Sequence, residues 1–149
     1  MNTKLMFSSE KDTWETPQDF FDELDKEFNF ELDVCALPSS TKCKEFITPE
    51  IDALKQSWVA FNRRNMCWMN PPYGRQIKDW IKKAHNEAQK GATVVALLPA
   101  RTDTRWFHDY IYNKYEIRFI KGRLKFGDAV NAAPFPSMVV IFKKRNESN

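Results

Sequence analysis

Residues 66–98 leave the chain few options for its fold. Met66-Cys67-Trp68-Met69 is a short apolar run that reads as a strand. Asn70-Pro71-Pro72-Tyr73 stops it. The two prolines donate no backbone hydrogen bond and hold φ at about −65°, and Pro72 pushes Pro71 towards an extended conformation. Beyond this stiff loop, Ile77, Trp80, Ile81, Ala84 and Ala88 fall on one face of a predicted helix, which Gly91 ends. Residues 93–98 form a continuous apolar run, as in a strand covered on both sides. Strand, stiff turn, amphipathic helix and doubly covered strand make a crossover unit of a parallel sheet.

The rest of the chain extends this unit. Thr16 is a candidate helix cap with Pro17 at the first helical position, and Phe20, Phe21, Leu24 and Phe28 recur at helical spacing over residues 17–28. Residues 30–35 alternate as a short strand, a second short strand lies around Phe46-Ile47, and one helical turn over residues 51–54 leads to Trp58. After Pro99, Thr102 or Asp103 caps a helix whose inner face is Trp106, Phe107, Tyr110 and Ile111. Strands follow at residues 116–120 and 137–142, separated by loops at 121–127 and 128–136. The expectation is one three-layer α/β domain of 149 residues, with an N-terminal arm at 1–12 and a polar tail at 144–149. Asp33, Asn70, Pro99 and the Gly122 loop stand at strand ends, where open α/β sheets bind ligands.

Several function classes fall away. Four glycines without a phosphate-binding loop argue against dinucleotide or nucleoside triphosphate use. Cys35, Cys43 and Cys67 are too few and too unevenly placed for a disulfide framework or a zinc site, so reduced buried thiols and no metal are expected. His85 and His108 fall in predicted helices, are expected at the surface, and belong to no Ser/His/Asp set. No apolar run spans a membrane and no leader is recognisable, so a soluble intracellular protein is expected. A net charge of +3 permits a nucleic-acid partner without requiring one.

The Asn-Pro-Pro-Tyr loop suits one kind of chemistry. Its polar groups are mostly acceptors: the Asn70 side-chain oxygen and the Asn70 and Pro71 carbonyls. Two acceptors hold the N–H groups of a planar amine, favour a pyramidal nitrogen and stabilise positive charge as it forms, while Tyr73 offers a ring for stacking. No strong general base is required if the proton leaves after transfer. The electrophile must be supplied, and the methyl sulfonium of S-adenosylmethionine fits. Asp33 is the candidate for its ammonium or ribose, and Asp52 for its adenine amine, with Leu54 or Phe46 beside it. Trp14, Thr16 and Pro17 are placed to close over its methionine end. Arg75, Arg101, Arg105, Arg123 and Lys125, with Arg63 and Arg64, form a basic set of which several fall on the predicted rim, where they are candidates for phosphate contacts. If the amine belongs to a base within a nucleic-acid duplex, that base must be flipped out, and Phe126 is then a candidate to face it opposite Tyr73.

From Trp14 to Phe142 the chain resembles the phage-type Dam family of DNA N6-adenine methyltransferases. The matching pieces are Trp14-x-Thr16-Pro17, Leu32-Asp33-Val34-Cys35-Ala36, Asp52-Ala53-Leu54 with Trp58, Asn70-Pro71-Pro72-Tyr73, Leu97-Leu98-Pro99-Ala100-Arg101-Thr102-Asp103-Thr104 and Gly122-Arg123-Leu124-Lys125-Phe126. Two departures stand out: many relatives have Asp-Pro-Ala or Asp-Pro-Cys where this chain has Asp33-Val34-Cys35, and Asp-Gly-Leu where it has Asp52-Ala53-Leu54. The resemblance implies a reduced Rossmann-like class I methyltransferase fold, mostly parallel with an antiparallel last strand. It implies S-adenosylmethionine as cofactor, held by Trp14, Thr16, Pro17, Asp33, Cys35, Ala36, Asp52 and Leu54, with Glu50 a candidate for the ribose. It makes Asn70, Pro71, Pro72 and Tyr73 catalytic, with direct methyl transfer to a flipped-out adenine of DNA. A phage or prophage origin, action in the bacterial cytoplasm and a part in restriction-modification are expectations from the same resemblance. The competing readings are a methyltransferase acting on RNA or a glutamine amide, and a non-catalytic nucleic-acid-binding module of the same fold.

Overall fold

A computed structural model of the chain describes residues 13–127 and 131–145. The expected arm at 1–12, residues 128–130 of the expected loop and residues 146–149 of the tail lie outside the described residues. The described residues form helices α1 (Gln18–Phe28), α2 (Ile77–Gln89) and α3 (Arg105–Tyr110) and strands β1 (Leu32–Asp33), β2 (Glu45–Phe46), β3 (Met66–Met69), β4 (Thr93–Pro99), β5 (Glu116–Phe119) and β6 (Ser137–Phe142). Ala53–Lys55 is a single 3-10 turn.

The six strands make one sheet in the order β2-β1-β3-β4-β6-β5. The first four run parallel. β6 runs antiparallel to β4, with Val94 opposite Phe142 and Pro99 opposite Ser137. β5 pairs antiparallel with β6, so it points the same way as β4. The carboxyl ends of β1, β3, β4 and β5 therefore lie along one edge, together with the start of β6. β1 is shorter than the run expected at 30–35, although its ladder continues: Glu31 N–H donates to the Met66 carbonyl at 2.8 Å and Val34 N–H to the Trp68 carbonyl at 3.1 Å.

Alternate residues of the central strands feed two cores. Cys67, Met69, Val94, Ala96, Leu98, Met138, Val140 and Phe142 pack under α2 and α3, meeting Ile77, Trp80, Ile81, Ala84, Trp106 and Phe107. Trp68, Val95, Leu97, Val139 and Ile141 face the other way, onto Phe21 of α1 and Phe126 and Ala133 of the segment before β6. This is the three-layer arrangement expected from the helix and strand periodicities. α2 ends at Gly91, whose φ of +117° suits glycine.

Two expected caps are corrected. Pro17 itself occupies the N-cap of α1, with no side-chain cap; the Thr16 hydroxyl is engaged elsewhere. Helix α3 is capped by Thr104, which accepts from Phe107 N–H, rather than by Thr102 or Asp103. His85 is half-buried, its Nδ1 2.6 Å from the Tyr115 hydroxyl, while His108 is exposed as expected.

One polar group is built into the first core. Glu87, 1% exposed on the inner face of α2, accepts from Trp58 N–H at 2.5 Å and pairs with Lys83 at 3.2 Å and Lys90 at 2.8 Å. With the Trp58 indole donating to the Ala53 carbonyl at 3.0 Å, it ties the connection between β2 and β3 to α2.

Candidate active site

A cavity of about 450 Å³ opens at the carboxyl ends of β1 and β3. Asp33, Cys35, Ala36, Leu37, Ser39, Ser40 and Lys42 line it from the end of β1 and the loop beyond, and Pro49 from the segment after β2. Trp68, Asn70 and Pro72 line it from β3 and its loop, and residues 13–16 from the strap before α1.

Asp33 is 3% exposed. Its Oδ1 accepts from Cys35 N–H at 3.2 Å and its Oδ2 from Lys42 N–H at 3.0 Å, so the carboxylate shapes the loop between β1 and β2. Burial pushes its carboxyl up to about 6, against those two N–H groups and the Lys42 charge, which draw it down. Each oxygen keeps a lone pair for a further donor. Burial also pushes the thiols of Cys35, Cys43 and Cys67 up to about 12, and all three are free and un-ionised near neutrality.

Asn70 stands at the end of β3. Its Nδ2 donates to the Trp14 carbonyl and, at 2.9 Å, to Thr16 Oγ1. A carbonyl only accepts, so the NH2 side of the amide must face Trp14. That leaves Oδ1 as the other arm, buried and without a partner. An unmade hydrogen bond at a buried acceptor costs about 1–3 kcal/mol, so Oδ1 calls for a donor from water or from a ligand.

Tyr73 departs from expectation. Expected to offer its ring for stacking, it is 3% exposed, its hydroxyl donates to the Leu97 carbonyl at 2.9 Å, and burial holds its phenol well above the usual range. Its ring stands across those of Phe126 and Phe135, with centroids 6.4 and 5.7 Å away. Trp14 joins the same group, 5.5 Å from Phe126 and 5.0 Å from Phe135. Phe126, expected to face a base, is buried in this cluster. A base stacked on Tyr73 would have to displace part of what now covers it.

The structure brings together Trp14, Thr16, Asp33, Cys35, Ala36, Asn70 and Pro72, but Pro17, Asp52, Leu54, Phe46 and Glu50 do not line the cavity. Asp52, at φ +62°, accepts from Leu54 N–H at 3.3 Å and so caps its own turn. Pro71 is buried beside Asn70. Arg75, Arg101, Arg105, Arg123 and Lys125 are exposed near strand ends of the same rim. Arg63 and Arg64 instead precede β3 at the opposite edge, where Arg63 pairs with Glu45 and Arg64 donates to the Asn29 carbonyl at 2.5 Å. Sequence reasoning missed Ser39, Ser40, Lys42 and Trp68; the position of the first three just past the Asp33 strand end was the available signal. Among the described residues no three His, Cys, Asp or Glu side chains gather as a metal site, and no helix is long and apolar enough to cross a membrane.

A mostly parallel sheet whose strand ends wall a cavity of mixed apolar and polar lining, with an acidic group on one side and an acceptor-rich loop on the other, defines a ligand-binding α/β domain. Residues 3–149 match the family described as DNA N-6-adenine-methyltransferase (Dam). The chain is 35% identical over 152 residues to a DNA N-6-adenine-methyltransferase of Haemophilus phage HP1 (strain HP1c1), spanning 97% of this chain and 84% of that one. It is 30% identical over 115 residues to a DNA N-6-adenine-methyltransferase of Escherichia phage T1, spanning 76% of this chain and 47% of the relative. The chain belongs to the DNA N-6-adenine-methyltransferase (Dam) family.

Proposed function

We propose that this chain transfers a methyl group from S-adenosylmethionine directly to the N6 amine of adenine in DNA, with the target base flipped out of the duplex, on a reduced Rossmann-like class I methyltransferase fold. Family membership supports the reaction class. The observation that carries the site is the Asn70 amide: an oriented side chain on the cavity wall whose oxygen is an acceptor with no partner.

The residues of the cavity fit the cofactor. Its volume of about 450 Å³ is within the range of small-molecule sites. Asp33 would hold an ammonium with its remaining lone pairs, and Lys42, Ser39 and Ser40 a carboxylate. Trp14, Leu37 and Pro49 supply apolar surface for a ring or a methylene chain. S-adenosylmethionine, when bound, supplies an electrophilic methyl group on a sulfonium.

The remaining work belongs to side chains and backbone of this protein. Asn70 Oδ1 and the Pro71 carbonyl accept the two N–H groups of the adenine amine and favour charge as it builds on nitrogen. The surplus proton then leaves to solvent, so no buried general base is required. Tyr73 stacks on the base once the cover of Phe126 and Phe135 has shifted, and Arg75, Arg101, Arg105, Arg123 and Lys125 meet phosphates.

The test is transfer of tritiated methyl from S-adenosylmethionine to unmethylated DNA, followed by nucleoside analysis. Label in N6-methyladenine, abolished by Asn70→Ala while S-adenosylhomocysteine still binds, is the expected result. Label in RNA or protein and none in DNA would replace the substrate. No binding of S-adenosylhomocysteine, even with DNA present, would favour a non-catalytic module.

A further inference from the structure

The strap at residues 13–16 does more than wall the cavity. Thr16 was expected to cap α1 and touch the cofactor, yet its hydroxyl, on a residue only 4% exposed, receives the second N–H of the Asn70 amide. The first goes to the Trp14 carbonyl. Both donors of Asn70 are thus committed to one short stretch of chain, one to a backbone carbonyl and one to a side-chain hydroxyl, and the amide has a single remaining polar arm. Carboxamide torsions are broad and roughly two-fold. An asparagine without these partners would present NH2 about as readily as oxygen, and NH2 towards an amine repels rather than accepts.

We propose that Thr16 is a positioning residue for methyl transfer: with the Trp14 carbonyl, its Oγ1 locks the Asn70 amide so that Oδ1 is the acceptor offered to the substrate amine. This rests on the function proposed above and adds to it a source of orientation outside the Asn-Pro-Pro-Tyr loop. The strap is itself anchored. Pro17 fixes the backbone immediately after Thr16 at φ −58°. Gly127 N–H donates to the Glu15 carbonyl at 2.8 Å, and the Trp14 ring sits against Phe126 and Phe135. Asn70 is therefore oriented by the chain segment that also contacts the cluster over Tyr73. The hydroxyl is the essential group, since valine has the same shape but takes no N–H, whereas serine keeps the acceptor.

The experiment compares wild type, Thr16→Ser and Thr16→Val in single-turnover methylation of unmethylated DNA, with S-adenosylhomocysteine affinity measured on each. Failure of the wild type to make N6-methyladenine overturns the function and this role with it, before Thr16 is altered. Given wild-type activity, Thr16→Val is expected to slow transfer roughly 100-fold, the scale of a small misplacement of a reacting group, with cofactor affinity unchanged and most of the rate kept by Thr16→Ser. A double-mutant cycle with Asn70→Asp, which has no N–H to give, is expected to be strongly non-additive. The Asn70 side-chain amide resonance, identified by its loss in Asn70→Asp, should move in Thr16→Val and return in Thr16→Ser. If Thr16→Val does not fold, Thr16→Ala takes its place in every comparison. The role is overturned by wild-type rates in the valine variant, by equal losses of rate and cofactor affinity, by a serine variant no better than valine, or by additive losses in the cycle.

Discussion

The Tyr73 hydroxyl donates to the Leu97 carbonyl at 2.9 Å, pinning the end of the Asn-Pro-Pro-Tyr loop to the central strand β4. Tyr73→Phe removes this bond and keeps the ring. A neutral hydrogen bond contributes about 0.5–1.5 kcal/mol net, and about 1 kcal/mol lowers Tm by roughly 2–4 °C in a domain of this size. The phenylalanine variant should therefore melt a few degrees lower while retaining most of its transfer rate, because stacking needs the ring alone. Tyr73→Ala also leaves a hole beside Phe126 and Phe135 and should lose both stability and transfer. Calorimetry and methyl-transfer assays on the two variants check this; equal rates in both would remove Tyr73 from the chemistry.

Asp33 gives the site a pH dependence. Burial raises its carboxyl to about 6 in the folded chain, above the ordinary value of 3.8. Its contribution to folding stability is thus fully present below that ordinary value and is lost as pH rises through about 6. Ligand binding runs the other way. An ammonium on Asp33 favours the ionised carboxylate, so affinity for S-adenosylhomocysteine should level off above pH 6 and weaken as pH falls, by about tenfold at one unit below the midpoint. Titration calorimetry from pH 5 to pH 8 measures it, and Asp33→Asn should abolish the step.

Glu87 predicts a stability effect remote from the cavity. Its carboxylate is 1% exposed, and Trp58 N–H, Lys83 and Lys90 hold its carboxyl below the usual range although burial opposes them. Its stabilising contribution is present above the ordinary carboxylate value and lost as pH falls through the lower folded value. Glu87→Ala leaves the Trp58 N–H without its acceptor and should cost about 2–3 kcal/mol. Glu87→Gln keeps an acceptor for Trp58 and should cost less. Urea unfolding at pH 7 and pH 4 distinguishes them, with the gap between wild type and alanine narrowing in acid.

These sites differ in how far the sequence announces them. The β3-α2-β4 unit is plain because its periodicity changes abruptly at two prolines and is local. β1 and β2 are harder, since two-residue strands leave little pattern and much of their ladder is made by flanking backbone. Glu87 carries a faint signal: it lies three residues past Ala84 and seven past Trp80, on the apolar stripe, where a carboxylate needs partners. Thr16 carries none, because Thr-Pro before an apolar helix is fully explained by capping, and its contact with Asn70 spans 54 residues. The cover over Tyr73 is equally hidden in the sequence: it comes from Phe126 and Phe135, more than fifty positions away.

The basic rim makes a prediction in salt. Arg101 follows β4, Arg105 opens α3, and Arg123 and Lys125 follow β5, whose direction brings that loop to the same edge as Asn70. All four are exposed, and none belongs to an ion pair among the described residues. Each phosphate contact on duplex DNA contributes a slope of about −0.9 to the dependence of log K on log salt. Arg101→Ala and Arg123→Ala should each reduce that slope by about one unit and weaken binding alike on all sequences. Arg118 is the control: bound to Glu27 through two bonds of 2.7 Å and to Glu116 at 2.6 Å, it is already neutralised within the fold. Arg118→Ala should lower stability and leave the slope unchanged. Fluorescence anisotropy with a labelled duplex at several salt concentrations decides it; a slope that falls with Arg118 but not with Arg101 or Arg123 would move the DNA to a different face.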